Sequence, residues 1–142
     1  MQLPVWRSSD EATTLVFEDE DNIIWVDWRE EDEAIVRYVA DVINGFAIKV
    51  DWEGDDMIIA ESERRETVPL KLDCGDRHVA LCAINKFLAG SHEVRFVKAS
   101  DGSDTLAFAV LPREAWAALE DEFGAKVQAA FEVLVPEKNV FG

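Results

Sequence analysis

Residues 46–52 have the sequence FAIKVDW, and their alternation of apolar and polar side chains decides the class of fold. One face of this stretch holds Phe46, Ile48, Val50 and Trp52. A two-residue period is that of a β-strand with one face buried. Turn-forming residues 53–56 follow at once, and an apolar run returns over 57–61. The pattern predicts an antiparallel hairpin with one face in the core and the other in solvent.

The segments on either side of this hairpin alternate between strand-like and helical periodicity. Apolar residues at helical spacing predict four helices, over residues 30–44, 77–89, 112–123 and 125–134. Alternating or β-branched runs predict further strands, over residues 14–17, 23–28, 67–73, 93–98 and 105–110. For the first of these runs, the end of a helix capped by Ser9 is an alternative.

The predicted elements follow the order (β-β)-α-β-β-β-α-β-β-α-α. Short hairpins favour an antiparallel sheet, so the order predicts an α+β fold in which helices cover that sheet. A chain of 142 residues fits one domain, and no shift in composition marks a linker. We expect a single domain over residues 1–142, with residues 1–28 as an N-terminal extension. Asp27 followed by Glu30 predicts a capping box at the start of the first helix.

The charge and composition limit the classes of partner. Thirty acidic residues against 14 basic ones give a net charge of -16, which disfavours contact with nucleic acid or anionic membrane. The apolar content of 49% argues against disorder. We find neither an apolar run of membrane-spanning length nor a signal-peptide pattern, and two cysteines make no disulfide framework. These features predict a reduced, cytoplasmic protein whose partner is another protein with a basic or amphipathic segment.

The charge is concentrated in the first half of the chain, where residues 1–66 hold 19 acidic and 6 basic side chains. We call the densest part, Glu18–Glu33, the acidic window; it contains nine carboxylates and two tryptophans. The predicted partner-binding residues are Glu18, Asp19, Glu20, Asp21, Trp25, Trp28, Glu30, Glu31, Asp32 and Glu33. The alternative is a solvated surface, because the last four carboxylates also suit the first turn of a helix.

The strongest candidate for site chemistry is the motif Cys74-x3-His78-x3-Cys82. On one helix the two cysteines would lie about 12 Å apart along the axis, whereas tetrahedral zinc requires its sulfurs close together. We therefore interpret Cys82 as a small buried apolar residue and His78 as part of the first helical turn. The sequence predicts no catalytic residue, no metal site and no cofactor.

The order α-β-β-β-α-β-β-α over residues 30–123, with the small size and acidity, resembles the class I type III secretion chaperones and the YbjN-like proteins. The strand-like first 28 residues and the helix after residue 124 depart from their pattern. The resemblance implies a chaperone-like module, a homodimer that binds a segment of a partner protein along apolar and sheet-edge surface. Because the sequence marks out no acid, base or nucleophile, we expect this module to be non-enzymatic.

Two alternatives remain beside this hypothesis. An immunity or inhibitor protein would use the acidic window to neutralise a basic toxin or nuclease, with fast and salt-sensitive association. A bacterial-type protein whose function the sequence does not indicate is the second alternative. The first differs from the chaperone-like hypothesis in a measurable way, because strong salt dependence of partner binding favours the inhibitor.

Overall fold

The computed structural model describes the backbone of residues 4–8, 13–17, 22–43, 48–61, 63–71 and 75–141, and the side chains within these ranges from residue 22 onward. Helices and antiparallel strands are mixed along the chain, which confirms the predicted α+β class. The described elements are β1 (Pro4–Ser8), β2 (Thr13–Phe17), β3 (Ile23–Asp27), α1 (Asp32–Ile43), β4 (Lys49–Glu53), β5 (Asp56–Glu61), β6 (Arg64–Pro69), α2 (Asp76–Phe87), β7 (His92–Val97), β8 (Thr105–Pro112), α3 (Arg113–Ala130) and β9 (Phe131–Val133).

The described strands form three antiparallel sheets instead of the single sheet that we expected. A ribbon pairs β1 with β2, a four-stranded sheet has the order β3-β8-β7-β9, and a three-stranded sheet has the order β4-β5-β6. The predicted strands 14–17 and 23–28 are both present, but they belong to different sheets. Pairing between distant segments decides this division, and local periodicity carries no information about it.

One hydrophobic core joins the two larger sheets with helices α1 and α2. Its buried side chains come from β3 and β8 of one sheet, from β5 and β6 of the other, and from both helices. Ile48 and Val50 pack against this core, as the hairpin pattern predicted, whereas Phe46 lies outside the described residues. A second, smaller core lies under α3 on the opposite face of the four-stranded sheet, where Trp116 meets Phe131 edge to face at 4.9 Å.

The last predicted helix, 125–134, is wrong at its end. Helix α3 runs to Ala130 through a non-helical residue at Gly124, and residues 131–133 form strand β9. Strand β9 pairs with β7, so that Phe131 lies opposite Val97 and Val133 lies opposite Arg95. The helical spacing that we inferred for this segment reflects the burial of Phe131, which the strand achieves by packing it on Trp116.

The predicted capping box at Asp27 is also wrong. The Asp27 side chain accepts a hydrogen bond from the Arg29 amide at 2.8 Å, and its carbonyl accepts one from the Glu30 amide at 2.8 Å. These bonds form a tight turn directly after β3, and α1 begins later, at Asp32. Asp27 therefore reverses the chain after the strand, which side-chain bonding of Asp to nearby backbone favours.

A partly buried ion pair fixes this turn to the second helix. The Arg77 guanidinium on α2 donates to Asp32 at 2.9 Å and to the Trp28 carbonyl at 3.1 Å. Burial raises the pKa of Asp32, although Arg77 acts in the opposite direction. The pair thus compensates only part of its own desolvation, and its main effect is to position the turn.

We predict that Asp32→Asn lowers the free energy of unfolding by about 2 kcal/mol, because the amide nitrogen of Asn would face the Arg77 guanidinium where the Asp32 carboxylate accepts two hydrogen bonds. Glu31→Gln is the matched control, since Glu31 is the exposed neighbour and loses the same charge. Urea denaturation monitored by circular dichroism measures both. Equal losses in the two variants would contradict a specific role for the ion pair.

Candidate functional site

The structure places the residues of the acidic window in different environments. Trp25 and Trp28 are 48% and 46% exposed, which is unusual for side chains of this size. Glu31 is exposed and Glu30 is half-buried, whereas Asp32 is buried. The other predicted acidic residues before β3, Glu18, Asp19, Glu20 and Asp21, lie outside the described residues.

Several carboxylates of the window are engaged within the fold. Asp27 accepts the Arg29 amide, and Glu30 bonds to the Tyr38 hydroxyl. Asp32 bonds to Arg77, as described above. Glu33 bonds to Arg37 one turn further along α1, and its other oxygen accepts the Trp52 indole N–H at 2.9 Å. Their position in the first turn of α1 also suits the positive end of the helix dipole. We therefore do not include Asp32 and Glu33 in the proposed contact surface.

Trp52 is a third exposed tryptophan that the sequence did not mark as a surface residue. It shares the inward face of β4 with Val50, but it lies at the end of the strand and is 43% exposed. Its bond to Glu33 brings the three-stranded sheet against the start of α1. The alternation identified the correct face, but it does not show where along the strand the core ends.

Strand β3 forms an open edge of the four-stranded sheet in the described part of the chain. The Val110 amide donates to the Asn22 carbonyl at 2.8 Å, in register with the pairing of Ile24 and Phe108. Because backbone groups alternate in direction along a strand, even-numbered residues of β3 point to β8. The amides of Ile23, Trp25 and Asp27 therefore point away from the sheet.

The other edges of the two larger sheets are protected. Strand β6 lies against α2, where Arg64 donates to the Phe87 carbonyl and lies 4.5 Å from the centre of its ring. Strand β4 is lined by charged and exposed residues, and β9 is only three residues long. Charges, proline and short length are the usual means of blocking sheet edges.

The edge of β7 beyond the end of β9 is closed by a side chain. The amide group of Asn85 accepts from the Val94 N–H at 2.6 Å and donates to the Val94 carbonyl at 2.9 Å. The side chain thus takes the place of a peptide group in a neighbouring strand. Strand β3 has no lysine, proline or bulge, and its five residues pair in unbroken register with β8. Among these edges, β3 is therefore the best suited to accept another strand.

A shallow pocket of about 250 Å³ lies at the end of β3, beside Trp28. We call it the Trp28 pocket; it is lined by Trp28, Asp101, Gly102, Ser103, Asp104, Leu106, Val140 and Phe141. Its apolar base is anchored in the core, because Phe141 stacks on Phe108 with a ring separation of 5.9 Å. It joins an aromatic wall to an acidic rim, which is a favourable combination for a cationic side chain.

A buried cluster of charges joins α3 to the four-stranded sheet. Arg95 bonds to Glu93 at 2.9 Å and to Glu120 at 2.6 Å, and its guanidinium lies 4.4 Å from the centre of the Trp116 ring. The Trp116 indole donates to the Glu93 carbonyl at 2.9 Å. The sequence carries no signal for this cluster, because Glu93 and Arg95 lie far along the chain from Trp116 and Glu120. Its charges are mutually paired, so we interpret it as structural.

The cysteine motif is only partly described, because Cys74 lies outside the described residues. His78 is buried, with Nε2 at 2.7 Å from the Val135 carbonyl and at 3.5 Å from the Cys82 sulfur. No group of three or more metal-binding side chains occurs among the residues that the structure describes. Burial, with a smaller contribution from Glu137, raises the pKa of Cys82 to about 11. A thiol with so high a pKa is a poor nucleophile at neutral pH.

We predict that Cys82 resists alkylation in the folded protein at pH 8 and reacts faster as the pH approaches 11, because only the thiolate attacks. The variant Cys74→Ser leaves Cys82 as the one thiol of the chain. Iodoacetamide labelling followed by mass spectrometry measures the rate, and the urea-unfolded variant is the control. Equal rates in folded and unfolded protein at pH 8 would contradict the raised pKa.

Comparison of the chain with protein family models, curated proteins and solved structures finds no match. Among the described helices, none combines the length and apolar character that crossing a bilayer requires. The 18-residue helix α3, for example, carries charged side chains along its length.

Proposed function

We propose that this protein is a non-enzymatic, chaperone-like binding module that takes an extended segment of a partner protein beside strand β3. The open edge of β3 is the observation that carries the proposal, because β6 lies against α2, β9 is short and β4 carries three charged side chains. An added strand would pair with the outward amides and carbonyls of Ile23 and Trp25. Backbone pairing gives such a complex its affinity, and side chains on alternate positions give it specificity.

The surroundings of this edge favour a basic or amphipathic segment. Trp25 lies exposed on the strand itself, and Trp28 lies exposed just beyond its end. Exposed tryptophan is a frequent anchor in protein interfaces. The nearby carboxylates of Glu30 and Glu31 and the net charge of -16 attract cations and repel phosphate. We therefore expect neither nucleic acid nor membrane as the partner.

The proposal includes three features that follow from the sequence and the resemblance. The non-enzymatic role follows from the sequence, which marks out no acid, base or nucleophile. A reduced, cytoplasmic location remains a prediction from the two cysteines. A homodimer remains a prediction from the resemblance, and light scattering at micromolar concentration tests it.

The strand-addition proposal is tested with a blocked eight-residue peptide that alternates lysine and valine and has arginine at position 5. Two derivatives carry N-methyl groups, one on all valines and the other on the remaining four residues. Only one set of amides faces β3 in an added strand, so we predict that one derivative binds at least tenfold more weakly while the other binds like the parent. Fluorescence anisotropy measures the dissociation constants.

A pair of variants tests the same contact from the side of the protein. Trp25→Pro and Trp25→Ala both remove the indole, but only proline removes the outward N–H. We predict about fivefold weaker peptide binding for the proline variant than for the alanine variant, as expected for one lost hydrogen bond. Thermal melting shows whether both variants fold. Equal binding of the two folded variants would contradict pairing at residue 25.

The alternative function is an acidic inhibitor of a basic toxin or nuclease, which the exposed Glu31 and half-buried Glu30 favour. In that mode side-chain charge does the binding, so both N-methylated peptides would bind like the parent and all affinities would fall steeply with salt. Reversal of Glu30 and Glu31 to lysine would then abolish binding. Asp32 and Glu33 are left intact in this variant, because they hold the fold.

A further inference from the structure

We infer that the Trp28 pocket is a specificity subsite for one arginine side chain of the segment that docks beside β3. This inference rests on the proposed function, and it adds a chemical preference at a defined place. The shape of the pocket, its charge and its position relative to the strand support it independently.

The position follows from the strand register. Val26 lies opposite Leu106 and Asp27 opposite Thr105, so the pocket base at Leu106 adjoins the last residues of β3. Leu106 shares its face of the sheet with Val26, whereas Trp25 lies on the opposite face. An added strand would therefore place alternate side chains over Trp25 and over the pocket side. Trp25 and the Trp28 pocket are therefore suited to a segment whose side chains alternate in character with a period of two residues.

The lining suits a side chain with an apolar stem and a cationic head. Leu106 and Phe141 provide the apolar base, and the carboxylates of Asp101 and Asp104 stand at the rim. Neither carboxylate forms an ion pair within the described ranges, although Lys138, which is bonded to Glu132, lies close enough to Asp101 for an electrostatic interaction. A long basic side chain buries its methylene stem on apolar surface while its head stays at the polar edge.

The rim is held in a fixed shape. The buried Ser100 hydroxyl donates to the Val97 carbonyl at 2.7 Å and accepts the Ala107 amide at 2.9 Å, which closes the base of the turn over 101–104. Gly102 adopts a φ of 82°, a conformation that favours glycine. The two aspartates therefore project from an ordered turn, so that less conformational entropy is lost on binding.

The aromatic wall favours arginine over lysine. The guanidinium of Arg29 lies 4.9 Å from the centre of the Trp28 ring, within the range of a cation–π contact. The described residues that line the pocket do not include Arg29. A planar guanidinium stacks on indole and offers several donors to nearby carboxylates, whereas an ammonium is a compact, strongly hydrated point charge.

The test compares the arginine peptide described above with the same peptide carrying lysine at position 5. The two peptides have equal charge, so long-range attraction is the same for both. We expect the arginine peptide to bind about fivefold more tightly to the unmodified protein. We expect this preference to vanish in Trp28→Leu and in the double variant Asp101→Asn/Asp104→Asn.

The matched control is Glu114→Gln/Asp121→Asn, which removes two exposed carboxylates from α3 and should keep the fivefold preference. Equal affinity of the two peptides for the unmodified protein overturns the inference and leaves strand addition standing. A preference that persists in both pocket variants, shown to be folded by thermal melting, also overturns it. Failure of every peptide to bind overturns the proposed function together with the inference.

Discussion

The candidate surface depends on one arginine that joins three segments of the chain. Arg77 of α2 holds Asp32 at the start of α1 and the carbonyl of Trp28 in the turn after β3. The exposed tryptophan beside the pocket is therefore placed by an interaction on the buried side of the turn. Buried charge pairs contribute more to such positioning than to net stability.

The edges of the two larger sheets differ in how far the chain covers them. Covering a sheet edge requires dedicated residues, and this chain supplies them at β6 through Arg64 and at β7 through Asn85. Strand β3 instead carries an exposed tryptophan and regular extended backbone. An uncovered edge exposes a protein to aggregation, which makes it a costly feature for a chain that has no use for it. The strong negative charge opposes edge-to-edge aggregation by mutual repulsion and attracts cations to the edge.

The parts of this picture that the sequence predicted are those set by local periodicity. The hairpin of β4 and β5, helix α2 and the β7–β8 pair follow from spacing within each segment, and they appear close to their expected bounds. Which strands share a sheet depends on contacts between distant segments, so the sequence did not predict that β3 pairs with β8. Strand β9 was hidden because its apolar residues also fit a helical period.

The same distinction applies to the candidate site. The sequence indicated Trp25 and Trp28 as candidate partner-binding residues because they lie among carboxylates in one short window. The pocket beside Trp28 was not, since its rim comes from the turn at 101–104 and its base includes Phe141, far along the chain. Asn85 gave no signal either, because an isolated asparagine in a helix is ordinary until its partner strand is known.

The carboxylates of the acidic window thus have two different physical roles, which the composition of the window does not distinguish. Asp32 and Glu33 act at short range within the fold, where hydrogen bonds to Arg77 and Trp52 fix their positions. Glu30 and Glu31 have more access to solvent, and charges of this kind act over the screening length of the solution, about 8 Å at physiological ionic strength. Strand pairing, in contrast, depends on hydrogen bonds and apolar contact that salt weakens little. If β3 is the docking edge, salt therefore slows the encounter with a basic segment far more than it speeds the dissociation of a paired one.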